Sequence, residues 1–471
     1  MFLTVNRFFA KQAFISLCST NKTVSISKFA IQRLCVSTGC FVLLTIACVG
    51  QTNRFDEIAL GVSQVTEFDV NGLKVVIKRR PNSPTVAGGL YIRGGARNIT
   101  DKNAGIESLM LATAIEAGKT IPRATVRREL ASRGSAIVSG ASNDFSAVSF
   151  GTTKPDFARV FDIFSEVVLN PAFAEEDLKR NREVMLTGLR ESGVVPEAAL
   201  ATLQDRVIYA GHPYANEVIG TPATIGAITV PDLIAYHKKM METQRLLFVF
   251  VGDIDAEQLK AKIAATFGKL PRGTYKDQAY PALDFSKGSF DATQRAVPTN
   301  YLKGVFAAPS LDSPDYFAMR VAMSILQTLI YQEVRGRLQL SYAPDAEMDS
   351  FAANTANISV STTDPNRATA AMLEQIKFLK ERQLNQEVIE EIASFFLTRH
   401  YMGQETSAAQ VGELAKYELI GGGWRRSFEF LNGVRAVTGG DIQRVSDKYM
   451  KNIRFAYVGN TSAIDRSIFV K

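Results

Sequence analysis

From Val65 onward apolar and polar positions alternate with a period of two: Thr66-Glu67-Phe68-Asp69-Val70, then Asn71-Gly72, then Leu73-Lys74-Val75-Val76-Ile77. Asn and Gly both tolerate positive φ, so this pair between two alternating runs predicts a tight hairpin. A further strand is predicted at Val86–Arg93. The period then lengthens. Apolar residues at helical spacing predict a helix near Gly105–Ala117, and Phe157, Val160, Phe161, Phe164, Val167 and Val168 share one face of another, with Pro171 marking its exit.

The pattern repeats. Asp232-Leu-Ile-Ala-Tyr236 followed by Leu246-Leu-Phe-Val-Phe-Val-Gly252-Asp253 is echoed by Asp441-Ile-Gln-Arg-Val445, Lys448-Tyr449-Met450 and Arg454-Phe-Ala-Tyr-Val-Gly459-Asn460. The two copies stand roughly 210 residues apart, the size of one α+β domain. Turn formers from Gly268 through Pro281 to Pro298 predict a linker, placed at 271–300, between domains at 60–270 and 301–471. The second domain should hold a strand at Leu302–Ala307, a helix at Pro314–Tyr331 and strands near Ala343–Phe351 and Ile358–Thr362. A helix near Arg367–Gln383 and a longer helical region from Asn385 should follow. The expected fold class is α+β: two homologous domains, each an antiparallel-rich sheet with helices packed on one side.

Hydrophobic residues at 46% and charged residues at 21% of 471 fit a folded body rather than a disordered chain. The net charge of +7 falls to +2 once Arg7, Lys11, Lys22, Lys28 and Arg33 are set aside, and no acidic residue accompanies those five before Asp56. The body therefore lacks the basic patch of a nucleic-acid binder. All four cysteines, Cys18, Cys35, Cys40 and Cys48, lie in the same leading segment, so the rest has no thiol for a disulfide or a metal. The apolar run Leu34–Val49 behind Lys28 and Arg33 is shorter than a span of about 20 residues. Residues 1–50 accordingly read as a signal peptide or targeting segment. Thr45-Ile46-Ala47-Cys48 resembles a bacterial lipobox, which would place the protein in the periplasm or anchor it to a membrane as a lipoprotein through Cys48. The rival reading is a mitochondrial presequence.

Several landmarks together carry a resemblance. They are the hairpin with Asn71-Gly72-Leu73, the segment Tyr91-Ile-Arg-Gly-Gly95-Ala96-Arg97, Gly211-His-Pro-Tyr214 followed by Ile219-Gly220-Thr221, and the Val-Gly ending of each half. From about 60 to 465 the chain resembles the pitrilysin/insulinase-type zinc metallopeptidases, including the mitochondrial processing peptidase and the respiratory core subunits. The resemblance implies that the two domains form half of a clamshell. It also implies an inverted His-x-x-Glu-His motif on the helix after the Gly-Gly strand, with two imidazoles on zinc and a glutamate that polarises water. Aligned from Gly105, the two imidazole positions hold Ser108 and Ala112, and the base position holds Leu111. The third ligand, a glutamate in the family, falls on Gly188, or on Thr187 or Leu189 after a shift of one. A zinc site of the family type is thus not expected, and zinc would reside on a partner subunit. His212, His237 and His400 lack ligand spacing, and Glu107 reads as a charge serving the helix dipole.

The resemblance further implies an arginine and a tyrosine seven residues apart that grip the substrate carbonyl and its oxyanion; Arg335 and Tyr342 have that spacing. The glycine-rich turn that usually precedes them is shortened to Leu326-Gln-Thr-Leu-Ile330. A substrate peptide would add to a sheet edge near Gly134–Gly140. The expected function is a non-catalytic subunit, inactive alone, that binds peptide and completes the site of a zinc-bearing homologue as a heterodimer. The alternatives are an assembly or peptide-binding protein with no catalytic role, a homodimer, and an active zinc peptidase with atypical ligands.

Overall fold

The computed structural model describes residues 54–469; the targeting segment and Cys48 lie outside them. The hairpin forms as its turn chemistry requires, with φ of 54° at Asn71 and 89° at Gly72 joining β1 (Val65–Val70) to β2 (Leu73–Arg79). β3 (Thr85–Arg93), β4 (Ala136–Ala141), β5 (Phe145–Thr153) and β6 (Leu246–Gly252) complete a six-stranded sheet of order β1-β2-β6-β3-β5-β4. β7 (Ser289–Gln294), β8 (Asn300–Ala307), β9 (Asp345–Met348), β10 (Thr355–Thr362) and β11 (Arg454–Gly459) form a second, of order β7-β11-β8-β10-β9. Without β1 the two orders coincide strand for strand. Each sheet also has one parallel pair at the corresponding place, β2 with β6 and β7 with β11, and is otherwise antiparallel.

The echoed segments are the last helix and strand of each half. Val230–Met240 begins with a capping box between Thr229 and Asp232, and Gly439–Tyr449 with the same box between Thr438 and Asp441. Each helix leads into a strand whose final glycine has φ of 157°.

In the first half, α1 (Ile106–Ala114), α2 (Phe157–Leu169) and α3 (Glu175–Val194) lie on one face of the sheet. Leu73, Val75, Ile77, Leu90, Phe248 and Phe250 meet Phe161 and Phe164 of α2 there. The opposite face is not left to solvent. α4 (Pro196–Ile208) crosses to the second sheet and sets Leu200 and Leu203 on Ala456 and Val458 of β11. In the second half α5 (Tyr316–Ile330), α6 (Pro365–Glu381) and α7 (Gln386–Gly403) precede α8 (Ser407–Ile420). α8 returns the exchange, with Val411, Leu414 and Ala415 on Val76, Leu247 and Val249 of the first sheet. This reciprocity explains why β6 is buried along its whole length, sandwiched between two helical layers.

Two expectations are corrected. The predicted linker 271–300 is irregular at 271–288 and 295–299 but not throughout; Ser289–Gln294 is β7 and belongs to the second sheet, paired with β11 over a register from Arg454↔Ser289 to Gly459↔Gln294. The long helical region from Asn385 is two helices, because the Thr406 hydroxyl accepts from the Ala409 N–H at 3.0 Å and starts α8 afresh.

Candidate functional site

The positions aligned with the zinc motif lie on α1 and α3. Gly105 caps α1 with φ of 82°, and a Cβ there would meet Ile225 Cδ1 at 2.5 Å and the Gly220 Cα at 2.8 Å. Two sequence landmarks thus touch, which fixes the start of α1. One turn on, the Ser108 hydroxyl donates to the Val218 carbonyl at 2.6 Å. Leu111 is 2% exposed in the hydrophobic core, and the Ala112 carbonyl accepts from Asn181 Nδ2 at 3.2 Å. Gly188 stands on the exposed side of α3, where a Cβ would meet nothing within 4 Å. A hydroxyl already engaged, a core leucine, an alanine and a glycine do not fit zinc, which needs imidazole, thiolate or carboxylate donors. Among the described residues no group of three His, Cys, Asp or Glu could hold a metal ion.

Glu107 is not the solvated helix-start charge that its position suggests. It is 2% exposed; one carboxylate oxygen accepts from the Tyr236 hydroxyl and from Asn98 Nδ2, and Asn98 Oδ1 accepts from Arg245 at 2.9 Å. Burial pushes its pKa up, against the hydrogen bonds from its neighbours. Tyr236 is 129 residues away, so no local pattern signals this network.

Arg335 and Tyr342 come together. α5 continues into a wider turn over Tyr331–Arg337 with π-helical geometry, a form that concentrates at functional sites. Val334 anchors the turn in the core at 0% exposure. The chain then reverses through Gln339, with φ of 53°, while the Leu340 N–H donates to the Val334 carbonyl at 2.9 Å and the Leu340 carbonyl accepts from Thr362 Oγ1 at 2.7 Å. This returns Tyr342 to Arg335, whose guanidinium carbon lies 4.1 Å from the Tyr342 ring centroid and 4.9 Å from that of Tyr331. Tyr342 is 71% exposed and precedes β9 rather than opening it. Among the described residues no carboxylate lies within ion-pair distance of Arg335, whereas Arg337 next to it is paired with Glu333.

The proposed peptide-accepting edge is β4, the terminal strand of the first sheet, whose residues alternate between exposed and half-buried. α1 lies beside it.

The Gly211-His-Pro-Tyr214 landmark joins the halves. Gly211 has φ of 74°, and His212 uses Nδ1 to accept from the Tyr214 N–H at 3.1 Å and Nε2 to reach the Pro281 carbonyl at 3.1 Å. The Tyr214 hydroxyl donates to Asp144 and accepts from the Ala353 N–H at 3.2 Å. Asp144 also accepts from the Ala352 N–H at 3.2 Å. Burial raises the pKa of Asp144 to about 6, outweighing these hydrogen bonds. His237 hydrogen-bonds the Val168 carbonyl at 2.8 Å, and His400 stacks on Phe430 at 5.5 Å. The three histidines have separate partners.

Residues 74–222 match the model of the insulinase family (peptidase family M16), and residues 227–395 match that of the peptidase M16 inactive domain. The chain belongs to the M16 family. It is similar to subunit 1 of the mitochondrial cytochrome b-c1 complex of Bos taurus, 22% identical over 56% of this chain and 55% of that one. The match thus spans about half the length of that relative. An uncharacterized zinc protease of Mycobacterium tuberculosis is 22% identical over 80% of this chain and 88% of its own. Among solved M16 structures, the inactive domain from Pseudomonas fluorescens superposes with a TM-score of 0.75 at 20% identity, covering 84% of this chain and 98% of that one.

Proposed function

We propose that this protein is a non-catalytic M16 subunit that binds peptide and completes the site of a zinc-bearing homologue in a heterodimer. The observation that carries this reading is the contrast between two sets of positions. Ser108, Leu111, Ala112 and Gly188 are chemically inert toward zinc, whereas Arg335 is held on a wide helical turn, in contact with Tyr342 and, among the described residues, without a carboxylate partner. Arg335 stands beside the exposed Tyr342. Together they offer donors to a carbonyl oxygen and to the charge that develops on it. The free edge of β4 supports peptide binding by strand addition. Export through the leading apolar segment, with Cys48 as a lipid anchor, is part of the same proposal.

The test is peptide cleavage by this chain, by a homologue with an intact His-x-x-Glu-His motif, and by their mixture. Activity is expected in the mixture and its loss on Arg335→Ala. Zinc-dependent cleavage by this chain alone would overturn the reading. A second reading, assembly without a catalytic role, is favoured by the similarity to a cytochrome b-c1 complex subunit; it predicts a stable mixture whose activity is indifferent to Arg335→Ala.

A further inference from the structure

α7 is apolar on two sides. Ile389, Ala393 and Phe396 point into the core of the second half, as the buried face of an amphipathic helix does. The outer face of such a helix is expected to be polar, yet here Val388 and Phe395 are each 41% exposed, Tyr401 54% and Met402 63%. These are four of the thirteen exposed large hydrophobic side chains among the described residues, so one helix holds nearly a third of them. An apolar strip concentrated in this way marks a contact surface.

The order of residues along the strip indicates what it contacts. Counted from Phe395, Val388 and Met402 stand seven residues before and seven after, and Glu391 and Arg399 four before and four after. At 3.6 residues per turn the five positions fall within an arc of about 80°, so they share one face. Each apolar residue is balanced by an apolar one, and the acid by the base. Such a face is complementary to its own reversed copy: a two-fold axis at Phe395 sets this ring on its counterpart, Val388 on the second copy's Met402, and Glu391 level with the second copy's Arg399. Glu391 and Arg399 are both exposed, and neither forms an ion pair among the described residues. They cannot pair with each other, because eight residues of helix separate them by about 12 Å. The Arg399 guanidinium carbon lies 5.4 Å from the Phe395 ring centroid, at the middle of the strip.

We infer that two copies of this chain associate through the outer faces of α7, antiparallel about a two-fold axis at Phe395. The middle of the contact is hydrophobic, and the two symmetry-related Glu391–Arg399 pairs fix direction and register. A parallel pairing would instead set Glu391 against Glu391 and Arg399 against Arg399. One pair of helices buries less than a standard interface, so the dimer is weak and concentration-dependent. This association goes beyond the heterodimer proposed above and uses neither Arg335 nor β4, so the cleavage assay and the test below fail independently.

Sedimentation equilibrium of the full chain and of charge-reversed variants tests this. The wild type is expected to pass from monomer to dimer across the micromolar range. Glu391→Arg and Arg399→Glu each turn two attractions into two repulsions, and each should weaken the dimer about tenfold or more. Mixing the two variants, or combining both changes in one chain, again puts opposite charges across the axis and should restore the wild-type affinity, which no loss of folding could do. A monomer at every concentration would overturn the proposal and leave the face to a different partner. A dimer indifferent to the reversals would overturn it too, by assigning the association to another surface, the leading segment included. So would a mixture that fails to regain affinity.

Discussion

The guanidinium carbon of Arg335 lies 4.1 Å from the ring centroid of Tyr342, and the tyrosine is 71% exposed. Seven residues separate them, yet the contact is made by a π-helical turn followed by a reversal at Gln339. Because this pair stands outside the core, its loss should leave the fold intact. Arg335→Ala is expected to change unfolding free energy by no more than about 0.5 kcal/mol. It should lower peptide cleavage in the proposed heterodimer by about 10²–10³-fold. Chemical denaturation of this chain and kinetics of the mixture check the two halves of the statement.

The aligned zinc positions differ in what they tolerate. Gly188→Glu adds a side chain where nothing lies within 4 Å and removes a glycine from a helix interior, so it should stabilise by about 0.5–1 kcal/mol. Leu111→Glu places a carboxylate in the core and should cost about 3 kcal/mol or more. Urea midpoints of the two variants should therefore move in opposite directions; a well-tolerated Leu111→Glu would count against the packing described for α1.

The crossed helices bind the halves into one cooperative unit. Leu414→Ala in α8 and Leu203→Ala in α4 remove side chains packed on the other half's sheet, and each should cost about 2–4 kcal/mol. Denaturation followed by the fluorescence of Trp424, the one tryptophan of the chain, and by far-ultraviolet dichroism should coincide in both variants. Two separated transitions would contradict the reciprocal packing.

Asp144 should make stability fall with rising pH. Its carboxyl is raised from 3.8 to about 6 by burial, so between those values the folded state holds a proton that the unfolded state has released. The contribution is complete below about pH 4 and is lost as pH rises through about 6, to a limit of about 3 kcal/mol. Asp144→Asn keeps an acceptor for the Tyr214 hydroxyl and the Ala352 N–H, and should flatten that part of the profile. The comparison is urea unfolding of both proteins at pH 4, 5, 6 and 7, with unchanged slopes as the contrary outcome.

Much of this protein is decided locally. Asn71-Gly72 makes its hairpin because both residues accept positive φ, the Phe157–Val168 spacing makes a helix with one apolar face, and the echoed capping boxes start equivalent helices in each half. The absence of zinc donors at Ser108, Leu111, Ala112 and Gly188 is likewise a matter of composition at given positions. Other features depend on contacts between residues far apart in the chain: Glu107 with Tyr236, Asp144 with Ala352, and Lys74 with Glu418. Periodicity records which face of an element is apolar and not what covers it. Only the tertiary structure decides that each sheet is covered by a helix of the other half, that a carboxylate in the altered motif is buried, and that Val388, Phe395 and Met402 of α7 are left uncovered.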